Sequence, residues 1–218
     1  MRPYDIEFTL NNKESIVIEL KLPFETVPCY CLEHIVFVHE KRKYSLACWA
    51  LDDNVKRFQH LLINALAKKL PLHESIIRDI GYLENIEKKY NKQNQNTYDE
   101  SWKYLPNLAY DKIENYFRWV GYQYQLWAYE DLAVWIYNDK DGFIIFEITQ
   151  RYPYMFTKNK KKKKAISFKN WMQSYKPLFI RVISPDIAQE WSKKTQYMIN
   201  FMDTRLANIE EKTTEKVI

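Results

Sequence analysis

Glu147 falls in a strand-like run beside Trp135, Tyr137, Phe143 and Ile145, and a carboxyl among so many apolar side chains is a candidate acid or base. Apolar surroundings disfavour the ionised form, so its pKa would rise toward the range useful for general acid–base chemistry. No second carboxylate stands at a useful spacing, and the plainer reading is a strand-end glutamate paired with Arg151 or a neighbouring lysine. Cys29, Cys31, His34 and His39 carry zinc-type donors, but C-x-C-x2-H-x4-H is not a familiar finger spacing, and the two histidines end a predicted strand. Asp139 and Asp141 before Gly142 resemble part of a calcium loop. Such a loop would have to start at Tyr137, which offers no carboxylate, so a hairpin turn is the better reading. The sequence therefore predicts no catalytic residue, no metal site and no cofactor.

The second kind of chemistry is electrostatic. Between Glu147 and Asp186 there is no acidic residue and there are ten basic ones: Arg151, Lys158, Lys160, Lys161, Lys162, Lys163, Lys164, Lys169, Lys176 and Arg181. The whole chain is +5, so a window at +10 leaves the remainder net negative. Concentrated positive charge attracts phosphate, anionic lipid or an acidic protein face. Arg151, Tyr152, Tyr154 and Phe156 lead into the lysine run, and aromatics beside dense positive charge suit single-stranded nucleic acid, whose bases stack while lysines follow the backbone. Against this, lysine outnumbers arginine 25 to 8 and Asn, Ile and Tyr abound, as in an AT-rich genome. The run then reads as a solvated loop over 157–165.

Several classes are excluded by composition. Gly81, Gly121 and Gly142 are the only glycines, so the clustered glycines of a P-loop or a Rossmann turn are missing. Three cysteines in 218 residues make no disulfide framework. Mean hydropathy is −0.54, with no apolar run near 18 residues, which predicts no membrane span. Met1 to Glu7 lacks the apolar stretch of a signal peptide, so the expected location is cytoplasmic.

The elements that must position these residues follow from periodicity. Ile6, Phe8 and Leu10 alternate with polar residues, as do Ile16, Ile18, Leu20 and Leu22, predicting a hairpin with one wet face that pairs Leu10 with Ile16 and Phe8 with Ile18. A second hairpin is predicted from 35–38 and 44–49. Asp52 or Asp53 would cap a helix carrying Val55, Phe58, Leu62, Ala65 and Leu66, and a further helix is expected over 72–90, weakened by Gly81. Asn91 to Asn96 reads as a loop break, near 91–97. Residues 120–129 alternate like a strand. The clearest hairpin joins 132–137 to 143–149 around a 138–142 turn, pairing Tyr137 with Phe143 and Ile136 with Ile144 and placing Val134, Ile136, Ile144 and Phe146 in the core. Ser167 should cap a short helix through Tyr175, Leu178 to Ile183 a last strand, and Ser184-Pro185-Asp186 should open a long helix striped by Ile187, Trp191, Met198, Met202, Leu206 and Ile209, frayed from about 210 to 218.

Hairpins rather than βαβ units predict an α+β fold: a mostly antiparallel sheet, several helices, a long C-terminal helix and one domain over 1–218. Seven Trp and 17 Tyr exceed what one core needs, and such residues dominate protein interfaces. Both faces of the central hairpin are apolar or aromatic, so a partner covering Trp135, Tyr137, Phe143 and Glu147 is expected. The sequence thus reads as a non-enzymatic protein-binding module in the manner of small bacterial or phage accessory proteins, toxin-neutralising immunity proteins among them. A single-stranded nucleic-acid binder using 151–181 is the second reading and an enzyme of unrecognised type the third.

Overall fold

The computed structural model describes residues 2–28, 32–76, 79–94, 104–113, 116–153 and 166–214. Its first sheet is antiparallel, in the order β1 (Ile6–Asn11), β2 (Glu14–Glu19), β3 (Leu32–His39) and β4 (Arg42–Ala50). Helices α1 (Leu51–Leu66) and α2 (Ile80–Asn94) follow, then a short antiparallel pair, β5 (Tyr110–Ile113) and β6 (Tyr116–Trp119), and a 3-10 helix over Val120–Tyr124. The second sheet comprises β7 (Gln125–Tyr129), β8 (Leu132–Asn138), β9 (Ile144–Gln150) and β10 (Phe179–Ile183), in the order β10-β9-β8-β7, with α3 (Phe168–Gln173) between β9 and β10 in the chain. Helix α4 (Pro185–Thr214) closes the fold, which is α+β with antiparallel sheets, as the hairpin pattern predicts.

The core-facing sides of the strands are as expected, but two registers are not. In the first hairpin Phe8 pairs with Ile16 and Ile6 with Ile18, because the turn is tightened to Asn12-Lys13 between Asn11 and Glu14. In the central hairpin Ile136 pairs with Phe146 and Tyr137 with Ile145, and the turn runs from Asp139 to Phe143. There Asp139 Oδ1 accepts from the backbone N–H of Asp141 at 3.0 Å and of Phe143 at 2.8 Å, while Gly142 takes φ 82°. Both slips are two residues long, so each strand residue keeps its face. Val134, Ile136, Ile144 and Phe146 are buried as predicted. The expected wet face of the first hairpin holds for β1 alone; β2 is buried along its length, flanked by β1 and β3.

Four further boundaries differ. Helix α1 starts at Leu51 with Ala50 at its N-cap and no side-chain cap, so Asp52 and Asp53 lie in the first turn, where the helix dipole favours them. Helix α2 starts eight residues later than predicted: Leu70, Pro71 and Leu72 are tied to Asn138 by backbone bonds, and Asp79 Oδ1 then caps the helix at the N–H of Tyr82. Asn91 to Asn94 belong to α2, and 95 and 96 lie outside the described residues. Val120 to Tyr124 wind into the 3-10 helix because Arg57 of α1 gathers the carbonyls of Tyr122, Gln123 and Gln125.

Three predicted elements hold. Ser167 caps α3 through the N–H of Asn170, β10 follows, and Ser184 Oγ caps α4 at Ile187. Trp191, Met198 and Met202 of α4 are buried. Phe58 links the layers, with its ring 5.3 Å from Phe8, 5.2 Å from Trp127 and 5.7 Å from Trp191.

Candidate functional site

The four residues expected to meet a partner are not brought together on a surface. Trp135 is 0 % exposed, Tyr137 8 % and Glu147 2 %, whereas Phe143 leaves the strand for the turn and is 57 % exposed. The chain itself supplies the second cover. Gly81 of α2 sits so close that a β-carbon there would lie 2.3 Å from Tyr175 Oη and 2.5 Å from Thr149 Cβ. Glycine is used here for close approach. Three hydrogen bonds run behind α2: Trp135 Nε1 donates to Thr149 Oγ1 at 2.8 Å, Tyr137 Oη to Glu147 Oε2 at 2.7 Å and Tyr175 Oη to Asp79 Oδ1 at 2.7 Å.

Burial, reinforced by the neighbouring negative charge of Asp79, pushes the Glu147 carboxyl up to about 7. The plainer sequence reading, an exposed strand-end glutamate paired with Arg151 or a lysine, is not what the fold holds: Glu147 is buried and its partner is Tyr137. Arg151 Nε instead faces Glu84 Oε1 at 3.5 Å. Glu84 also receives Lys88 Nζ at 3.0 Å and Gln125 Nε2 at 3.1 Å, and burial pushes it up to about 7. Glu87, one turn on, accepts from Tyr122 Oη at 2.7 Å and from Asn91 Nδ2; burial raises it to about 7 as well, with Glu84 adding to the rise. Sequence reasoning missed Asp79, Glu84 and Glu87. The i, i+3 spacing of Glu84 and Glu87 on one face of α2, beside Leu83 and Ile80, was the available signal.

The basic segment divides. Tyr152 is buried, donates from its hydroxyl to the carbonyl of Ile166 at 2.8 Å and packs against Phe168 and Trp171, so its ring is not free to stack on a base. Tyr154, Lys158 and Lys160 to Lys164 lie outside the described residues.

The histidines are committed elsewhere. His39 Nδ1 lies 2.7 Å from Glu14 Oε1, and His34 bridges Glu19 at 3.3 Å and Ser45 Oγ at 3.0 Å. Glu19–His34–Ser45 has the order of a nucleophile relay, but the His34 side chain is 39 % exposed, which leaves the imidazole in contact with water. Burial would raise Glu19, yet Lys43, His34 and Arg2 outweigh it and hold the carboxyl below its usual range. Cys29 and Cys31 lie outside the described residues.

One surface does stand out. Strand β10 ends its sheet, and Ile180 and Val182, which pair with Glu147 and Ile145, are 50 % and 59 % exposed on the outer face. Around the strand end lies a cleft of about 210 Å³ lined by Leu66, Lys68, Phe143, Ile144, Ile183 and Pro185. The β1 edge of the first sheet is treated differently: the carbonyls of Thr9 and Glu7 accept from Trp191 Nε1 at 3.1 Å and from Lys194 Nζ of α4. Edge strands are normally blunted with charge, proline or a cover. The one charge on β10, Arg181, is turned onto Glu14, with Nε 2.8 Å from Oε2, and its Nη1 donates to the carbonyl of Ile180 at 2.8 Å.

Compared with known proteins, the chain matches no family model, no curated protein and no solved structure. Among the described residues no helix is long and apolar enough to cross a membrane.

Proposed function

We propose that this chain is a non-enzymatic protein-binding module that takes an extended, acidic segment of a partner protein along β10. The observation that carries the reading is the exposed Ile180 and Val182 on a sheet-edge strand, inside a window with ten basic residues and no acid. A strand added to that edge would gain main-chain hydrogen bonds. Its alternate side chains would reach Ile180 and Val182 on one face and the Phe143–Ile183 cleft on the other. A second copy of the chain is a poor occupant, because antiparallel pairing would set two +10 windows against each other. The same surface suits a toxin-neutralising accessory protein, which inhibits by covering its partner and needs no catalytic group.

The test is a random-peptide library panned on the protein and on the double variant Ile180→Asp, Val182→Asp, both exposed changes expected to leave the fold intact by circular dichroism. Enrichment of peptides that alternate apolar residues with Asp or Glu, lost on the double variant, supports the reading. Enrichment that survives in the double variant, or the absence of any, overturns it. Titration with single-stranded RNA and DNA runs alongside, and salt-sensitive binding unaffected by the double variant favours the nucleic-acid reading.

A further inference from the structure

The layer between α2 and the second sheet holds more carboxyls than countercharges. Asp79, Glu84, Glu87 and Glu147 converge there, and among the described residues the cations that reach them are Lys88 and Arg151, both on Glu84 Oε1. Glu87 meets the Tyr122 hydroxyl and the Asn91 amide, and Glu147 meets the Tyr137 hydroxyl. Glu84 Oε2 and Glu147 Oε1 are buried with no hydrogen-bond partner among the described residues. Among the described residues the other titratable groups that act on Glu87 and Glu147 add no positive charge: Tyr110 from β5 lies near Glu87, and Tyr175, following α3, near Glu147. From β10 the neighbour of Glu147 is Ile180. Two anions without countercharge in so dry a layer cost more than two bound protons.

We infer that α2 is a proton-held latch, closed over the Glu147–Thr149 stretch of β9 while Glu87 and Glu147 keep their protons and loosened when they ionise. Opposing that loosening are the buried Ile80 and Leu83, the Asn85 clasp on Gln150 and Tyr152, the Arg151 and Gln125 contacts to Glu84, and the ring contact of Tyr82 with Tyr175. The face uncovered continues the exposed Ile180–Val182 strip, since Glu147 and Ile180 are cross-strand neighbours.

The sign follows from the two states. Both carboxyls are raised from 4.5 to about 7 when α2 is closed and return toward 4.5 when it opens. The closed state therefore binds more protons, its advantage is complete below pH 4.5, and it is lost as pH rises to about 7. Opening should increase by up to about tenfold per pH unit for each carboxyl across that window.

Amide hydrogen exchange of the full chain between pH 5 and 8, expressed as protection factors to remove the intrinsic pH dependence, reads this directly. Protection of α2 from Leu83 to Tyr90 should fall by about ten- to a hundredfold between pH 5.5 and 7.5 while α1 changes far less. The Glu87→Gln, Glu147→Gln variant should keep only the shallower fall that Glu84, also at about 7, contributes. A wild-type α2 that tracks α1, or an equal fall in the variant, overturns the inference. Carboxyl-carbon NMR titration of wild-type Glu87 and Glu147 keeps the question decidable if the variant does not fold: midpoints near 4.5 would also overturn it.

Discussion

Glu14 and Glu147 are withdrawn from water to nearly the same degree, at 5 % and 2 % exposure, yet they titrate far apart. Arg181 closes on both oxygens of Glu14, with Asn11 and His39 adding bonds, and these outweigh burial and hold it at about 2. Glu147 meets a hydroxyl and the negative charge of Asp79 and stands at about 7. Burial alone does not decide charge in this molecule; the partner does. Glu14 works as a permanent anion that ties the first hairpin to β10, and Glu147 as a carboxyl that changes form near neutrality.

The largest expected effect comes from a residue that should ignore this contrast. Phe146 faces the dry core one position from Glu147, and Phe146→Ala should cost about 3–5 kcal/mol in urea unfolding at pH 5 and pH 8 alike. A cost that varied strongly with pH would show that the two faces of β9 are coupled.

Arg181→Met strands Glu14 without its main partner and should cost about 2–3 kcal/mol at pH 7. Glu14 is depressed in the fold, so the stability it confers is present above pH 4.5 and lost as pH falls through about 2. Wild type and variant should therefore converge in strong acid.

Gly81→Ala drives a methyl into Tyr175 and Thr149 and should cost about 1–3 kcal/mol, less the helix propensity gained. Hydrogen exchange should report the damage in α2 before α1.

The smallest effect is a gain. Glu147→Gln should be nearly neutral at pH 5 and stabilise by about 1 kcal/mol at pH 8, because wild type loses stability as pH rises through about 7. Equal stabilities at pH 8 would mean that Glu147 shares a charge with some cation after all.

Alternation told which side of each strand faces the core, and that reading survived because a slip of two residues preserves it. It could not fix turn length: Asp139 binding two backbone amides and the tight Asn12-Lys13 turn are local geometries compatible with the same pattern. It also showed that both faces of β8 and β9 are covered, but not by what. The cover depends on Gly81 fitting against Thr149 and Tyr175, three residues far apart in the chain. The Glu14–Arg181 pair spans 167 residues, and no spacing rule joins them. The basic window was legible, whereas the placement of β10 at a sheet edge within it is a matter of topology.

The caps on β1 have a cost in time. Thr9 and Glu7 receive their bonds from Trp191 and Lys194, 182 and 187 positions later. As the chain is synthesised, the first hairpin must wait with a bare edge until α4 arrives, and contacts of such long range close slowly. During that wait β1 is a template for any passing strand, another nascent copy included. The last helix thus serves as the chain's own chaperone, and its arrival time sets how long the newborn protein is exposed to misassembly.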